Sequence, residues 1–233
     1  MQRIKITIIL VCCSLSVSLF AQPKLFKEEM YIGAQGGVLA SMVNFSPTID
    51  QNPLHCHLGA TAGLVYRYIG HKVCGLQVEL NYMGRGWQEY SAESGYAYRR
   101  QLDYIEIPLL MHLYFGDYSR STKCARGFLN LGPQIGFLVN EKGSNIPTAY
   151  SSAWNSGKGS GTYHQYVPLE NRFDWGIAGA LGFYYITQHA GVYQFEARFN
   201  YSLGSNFSTS RMDYFTSSNN MNLSFTVAYF WKL

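Results

Sequence analysis

The residues whose types could carry chemistry lie at every second position of one stretch near the C-terminus, residues 192–203. Gln194, Glu196, Arg198 and Asn200 alternate there with apolar or aromatic residues. Because successive side chains of a strand point to opposite faces, these four polar groups share one face. The apolar face would line the core of a soluble barrel, or it would contact lipid in an outer-membrane barrel, with the polar groups in the lumen.

The same alternation in other predicted strands gives a larger set of lumen residues: Arg67, Gln77, Glu79, Asn81, Tyr104, Glu106, His112, Gln134, Asp174, Gln194, Glu196, Arg198 and Asn200. Side chains fill a barrel of eight strands, and buried charges need partners. We therefore predict a polar network of Arg67, Glu79, Glu106, His112, Glu196 and Arg198, with salt bridges among its charged members. The network would either plug the lumen or form a gated path for protons or small ions. The partners depend on strand register, because a slip of one residue exchanges the faces.

Catalytic and metal sites are weakly indicated. A base, an acid and nucleophiles are present in His164, Asp174 and the serines of the long loop predicted at residues 141–171, but their spacing matches no catalytic signature. The His55-Cys56-His57 run offers metal ligands, whereas a structural zinc site needs four. The glycine-rich residues 157–161 lack the spacing and context of a phosphate loop. We predict no catalytic residue, metal or cofactor.

A recognition surface is indicated in the same loop, residues 141–171. It combines Tyr150, Trp154, Tyr163 and Tyr166 with serine and glycine. Aromatic anchors among small polar residues are typical of adaptable binding surfaces. The same rings could instead pack over the barrel mouth or enter the lipid headgroups.

The N-terminus indicates export. Arg3 and Lys5 precede an apolar run that ends near Ala21, so residues 1–21 are predicted to be a cleaved signal peptide and residues 22–233 one barrel domain. Charged residues make up only 14% of the chain and aromatic residues 16%. Few charges and many aromatic rings suit a wall that faces lipid, and the net charge of +4 is too small to indicate nucleic acid binding.

The order of the elements predicts an all-β fold, an eight-stranded antiparallel transmembrane barrel of up-and-down topology. The strands are expected at residues 30–42, 56–69, 73–86, 100–116, 126–140, 172–187, 192–204 and 221–232. Long loops are expected at 43–55, 87–99, 141–171 and 205–220, with shorter turns between them. This alternation of long and short connections places both termini in the periplasm.

Two further predictions follow from this topology. Aromatic girdles are expected at both ends of the strands, with Tyr82, Trp87 and Trp175 at the loop end. Cys74 and Cys124 both fall at the periplasmic end, where they could form a disulfide or stay as free thiols.

Three runs of sequence resemble one family. Strands of PorT-like outer-membrane β-barrel proteins are similar to residues 102–115 (LDYIEIPLLMHLYF), 130–138 (NLGPQIGFL) and 76–83 (LQVELNYM). The resemblance implies the barrel fold and the outer membrane of a Gram-negative bacterium, and it says little about activity. The namesake acts in type IX protein secretion, so a link to secretion is one option.

The function expected from sequence is that of a non-enzymatic, monomeric barrel with a filled lumen. It would act structurally, or by contact of its loops or turns with envelope or secretion proteins, with outer-membrane lipid around it. The alternatives are a narrow channel through the same lumen and a lipid-modifying enzyme.

Overall fold

The computed structural model describes residues 28–46, 54–71, 73–91, 96–115, 125–143, 169, 171–187, 191–207 and 217–233. These residues form eight strands: β1 (Glu29–Ser46), β2 (Leu54–Ile69), β3 (Cys74–Ser91), β4 (Tyr96–Phe115), β5 (Ala125–Gly143), β6 (Phe173–Thr187), β7 (Gly191–Ser202) and β8 (Ser217–Lys232). Each strand pairs antiparallel with the next, and β8 pairs with β1, so that the sheet closes. This confirms the predicted fold class. Among the described residues no helix is long and apolar enough to cross a membrane.

Alternation of side chains decides which residues face inward. On β7, Gln194 is fully buried and Arg198 is 4% exposed, whereas Phe195 and Phe199 are 41% and 46% exposed. The same pattern on every strand gives an apolar outer surface and a lumen lined with polar groups. A soluble barrel would have the opposite arrangement, because water would then contact the outer face.

The two ends of the barrel differ in the connections that join their strands. Residues 70–73, 116–124 and 188–190 join strands at one end, which we call the turn end. The other connections join strands at the loop end. Both ends of the described chain lie at the turn end, where Lys232 pairs with Glu29 and the Leu233 amide donates to the Met30 carbonyl at 2.9 Å.

The loop predicted at residues 87–99 is largely wrong. β3 and β4 continue toward the loop end in register, with Trp87 opposite Arg100, and only residues 92–95 lie between them. The prediction ends this strand at Gly86, but ladder pairing uses backbone groups and continues through glycine and polar sequence alike. For the same reason β1, β2 and β5 extend into the predicted loops 43–55 and 141–171, and β8 begins at Ser217, within the predicted loop 205–220.

Trp87 does not belong to the predicted loop-end girdle. Its side chain is fully buried in the lumen, because it continues the inward positions Asn81, Met83 and Arg85 of β3. Tyr82 and Trp175, by contrast, are 47% and 50% exposed on the outer face.

Two apolar clusters lie inside the barrel, one toward each end. The loop-end cluster contains Val43, Phe45, Trp87, Leu102, Tyr104, Leu169 and Phe207. The turn-end cluster contains Val65, Ile69, Tyr114, Phe128, Tyr184, Val192, Ala228 and Phe230. Polar side chains fill the lumen between them, so the candidate site is enclosed by apolar packing at both ends.

Candidate functional site

The structure places the whole predicted lumen set inside the barrel. Each of its thirteen residues is at most 5% exposed. The closed ladder brings them together from β2 to β7, so side chains far apart in sequence meet across the lumen. Two arginine-centred groups result, which we call the Arg198 cluster and the Arg85 cluster.

The Arg198 cluster contains Arg198, Glu79 and Glu196. The Arg198 guanidinium donates two hydrogen bonds of 2.6 Å to the two carboxylate oxygens of Glu79. Its Nε donates to Glu196 Oε1 at 2.7 Å. A planar guanidinium matches a carboxylate in this two-pronged way, and such pairs are among the stronger hydrogen bonds in proteins. Arg198 therefore pairs with carboxylates on two strands, Glu79 on β3 and Glu196 on β7.

Amide side chains complete the coordination of Glu79. Gln77, Asn81 and Gln35 donate to its carboxylate at 2.5, 2.7 and 2.8 Å. A buried carboxylate is stable only when donors replace the water that it has lost. The alternating polar residues of β3 provide two of these donors, and β1 provides the third.

Glu196 is joined to His112 through an amide. Asn130 donates to Glu196 at 2.9 Å, and its Oδ1 lies 2.6 Å from His112 Nδ1. The His112 ring packs against Phe128, with 5.1 Å between ring centroids. His112 thus links the polar network to the turn-end cluster.

Arg67 does not form the salt bridge that the sequence predicts. Within the described residues its guanidinium donates to Gln77 Oε1 at 2.7 Å and to Gln194, and it lies 4.3 Å from the ring centroid of Phe230. Arg67 pairs across strands with Gln77, one step nearer the turn end than Glu79. Aromatic faces and amide oxygens stabilise its charge there in place of a carboxylate.

The Arg85 cluster lies on the loop side of the network. Arg85 forms a salt bridge with Glu106 and donates to Asp174 Oδ2 at 2.8 Å. Ser202 donates to the same Asp174 oxygen at 2.6 Å, and the Arg85 guanidinium lies 5.1 Å from the Tyr104 ring centroid. Glu106 thus has a different partner from those predicted.

Sequence reasoning missed Arg85, although a signal was present. Arg85 lies within the predicted strand 73–86 and has the same parity as Gln77, Glu79 and Asn81, but the predicted lumen set ends at Asn81 on this strand. Arg85 is 1% exposed and is one of the largest fully buried side chains.

The described residues include only some of the candidate metal ligands and catalytic residues. Cys56 is exposed and His57 is 3% exposed, and in the described part of the chain no three His, Cys, Asp or Glu side chains are placed to hold a metal ion. Asp174 is occupied by Arg85 and Ser202 in the lumen. The remaining predicted residues lie outside the described part of the chain: His164, Cys124, the signal peptide 1–21 and the loop residues Tyr150, Trp154, Tyr163 and Tyr166.

Comparison with solved structures finds other small outer-membrane barrels. The outer membrane protein OprG from Pseudomonas aeruginosa matches with a TM-score of 0.53 and 10% identity, over 90% of this chain and 99% of that chain. Neisserial surface protein A (NspA) matches with a TM-score of 0.45 and 12% identity, over 88% of this chain and 99% of its own. Ail of Yersinia pestis, in complex with the heparin analogue sucrose octasulfate, matches with a TM-score of 0.41 and 16% identity, over 87% of this chain and 99% of its own. At this level of identity, the likeness to OprG supports the fold alone.

Sequence comparison identifies the family. No curated protein matches the chain. Residues 20–208 match the family described as outer membrane protein beta-barrel domain, which covers most of the chain. The narrower PorT-like assignment stays a prediction. The chain belongs to the outer membrane protein beta-barrel domain family, which implies the outer membrane of a Gram-negative bacterium.

Proposed function

We propose that this protein is a non-enzymatic, closed barrel that acts through its exposed loops and turns. The observation that carries the proposal is the packing of large buried side chains along the lumen. Apolar clusters close both ends, and the Arg198 and Arg85 clusters occupy the space between them. In a lumen of this kind the surfaces left for function are outside the wall.

The ion pairs support a plug in preference to a conduction path. Arg198 bridges β7 to β3, and Arg85 bridges β3 to β6, so the salt bridges cross the lumen. An ion moving along the axis would have to separate buried pairs, and breaking such a pair costs about 3–5 kcal/mol. The narrow-channel alternative therefore has less support.

Contact with partners is the role that remains for the loop end and the turn end. The predicted recognition residues Tyr150, Trp154, Tyr163 and Tyr166 would provide one such surface, and the turns would provide another. The PorT-like resemblance favours an envelope or secretion component as the partner. We propose a monomer surrounded by outer-membrane lipid, because a closed ladder offers no free strand edge to a second copy.

Conductance in planar bilayers tests the closed lumen. The purified barrel is expected to give no stable unitary current, both as wild type and as Lys142→Ala, a control whose side chain is exposed and outside the lumen. A reproducible conductance that changes with Arg198→Ala and is unaffected by Lys142→Ala would locate an ion path through the network and contradict the proposal.

Crosslinking in intact outer membranes tests the role of the exposed surfaces. A photoreactive residue at Trp154 is expected to capture a stoichiometric partner if the third long loop is the contact surface, and one at Lys72 if the turns are. Recovery of the barrel alone from both positions, together with altered lipid acylation in a deletion strain, would favour the enzyme instead.

A further inference from the structure

The Arg85 cluster is one positive charge short among the described residues. Glu106 and Asp174 both pair with Arg85, and each of the three side chains is at most 5% exposed. The Arg198 cluster is balanced, since Glu79 and Glu196 face Arg198 and the nearby Arg67. Arg100, the next arginine toward the loop end, pairs with Glu141. A buried carboxylate without a compensating charge is unfavourable, so the Arg85 cluster needs a further positive charge.

Oxygen atoms without a donor accompany this excess of negative charge. Asn200 Nδ2 donates to Glu106 Oε2 at 3.3 Å, while Asn200 Oδ1 accepts no hydrogen bond from the described residues. Gln134 Oε1 is likewise without a hydrogen-bond partner there. Both residues are at most 4% exposed. Buried oxygens of this kind normally have a partner, and a group that supplies positive charge would satisfy them.

The strand register places these groups around one space. Gly136 lies between Glu106 on β4 and Asp174 on β6, as the partner of both. A Cβ atom at Gly136 would be 3.5 Å from Glu106 Cγ and 3.6 Å from both Asp174 Cβ and Tyr104 Cδ1, so the missing side chain of Gly136 leaves space beside both acids. Gln134, two residues along β5 on the same face, is the diagonal neighbour of both acids.

The hydrogen bonds of Arg85 do not involve all of the oxygen atoms around this space. Its Nη1 donates to Asp174, and with the Asn222 amide oxygen turned toward it, its Nε donates to Asn222 at 2.8 Å. The remaining ligands are carboxylate and amide oxygens. Ligand sets made only of oxygen favour hard cations over transition metals.

We propose that the lumen holds a monovalent alkali cation, Na⁺ or K⁺, between Glu106, Asp174, Gln134 and Asn200. The cation balances the one carboxylate charge that Arg85 leaves uncompensated. The amide oxygens of Gln134 and Asn200 coordinate it. It enters while the barrel folds, because the loop-end cluster covers the site afterwards. The site is therefore structural, and it supports the closed lumen.

Refolding in matched salts tests the proposal. The full-length mature barrel is refolded from urea into detergent micelles containing NaCl, KCl, CaCl₂ or choline chloride at equal ionic strength, and Tm is measured. Na⁺ or K⁺ is expected to raise Tm above the choline value in a saturable way. Glu106→Gln removes the excess charge, so its Tm is expected to be independent of the cation.

Glu196→Gln is the matched control, since it removes one carboxylate from the Arg198 cluster. Its Tm should fall in every salt, while the increment from Na⁺ or K⁺ stays as in wild type. The proposal is overturned by an equal Tm in sodium, potassium and choline combined with a Tm that varies with pH, because a shared proton would then supply the charge. Stabilisation by Ca²⁺ alone, or an increment that persists in Glu106→Gln, also overturns it.

Diffraction gives an independent readout if the variants do not fold. Wild-type crystals grown in RbCl are expected to show an anomalous peak in contact with Glu106 and Asn200. Absence of a peak at full rubidium substitution would overturn the proposal.

Discussion

Replacement of Arg198 by methionine tests the energetic role of the lumen network most sharply. The substitution keeps most of the side-chain volume and removes the guanidinium that donates two hydrogen bonds to Glu79 and one to Glu196. Both carboxylates are then left buried without their cation. Removal of one partner from a buried ion pair typically lowers the free energy of unfolding by about 3–5 kcal/mol, and we expect that loss here.

A double variant separates charge from packing. Arg198→Met/Glu196→Gln restores the charge balance of the cluster, so it is expected to lose clearly less stability than Arg198→Met alone. Lys232→Met is the control, because Lys232 pairs with Glu29 but is 48% exposed at the turn end, where such pairs contribute about 0–1 kcal/mol. The free energy of unfolding is measured by urea titration in lipid micelles. A loss of less than about 1 kcal/mol for Arg198→Met, or an equal loss in the single and double variants, would refute the electrostatic reasoning.

Two other substitutions test the wall and the loop-end cluster. Gly37→Ala is expected to reduce the yield of folded barrel, because its Cβ would lie 2.0 Å from the Phe225 carbonyl oxygen; Gly36→Ala, whose nearest contact is 3.8 Å, should change the free energy of unfolding by less than about 0.5 kcal/mol. The yield is measured by the heat-dependent shift on SDS gels, and equal yields would contradict the β1–β8 packing. Phe207→Ala removes a ring centred 6.2 Å from that of Phe45, and a loss of about 3–5 kcal/mol is expected in urea titration. A loss near zero would show that Phe207 does not seal the loop end.

Strand number and face assignment could be predicted from sequence because they depend on local alternation. The polar positions of β7 predict the buried face of that strand, and Gln194, Glu196 and Arg198 are at most 4% exposed. Long stretches of alternation separated by turn residues define the eight strands in the same way.

The pairing of side chains across the lumen could not be predicted from alternation. Arg198 and Glu79 meet because the closed ladder brings β7 opposite β3, which depends on the register of every strand between them. Phe207 and Leu169 belong to the loop-end cluster although both lie outside the strands, where no periodicity marks a buried residue.

Site-directed spin labelling of β7 tests the central claim, that the apolar face contacts lipid and the polar face is buried in a closed lumen. Single cysteines at positions 193–200, in a background without other cysteines, are labelled in lipid vesicles, and their collisions with oxygen and with a water-soluble nickel complex are measured. High oxygen access is predicted at Tyr193, Phe195 and Phe199, with low access to both reagents at Gln194 and Asn200. Strong nickel access at Gln194 and Asn200 would show an open aqueous lumen, and strong nickel access at Phe195 would place the apolar face in water; either result would contradict the account.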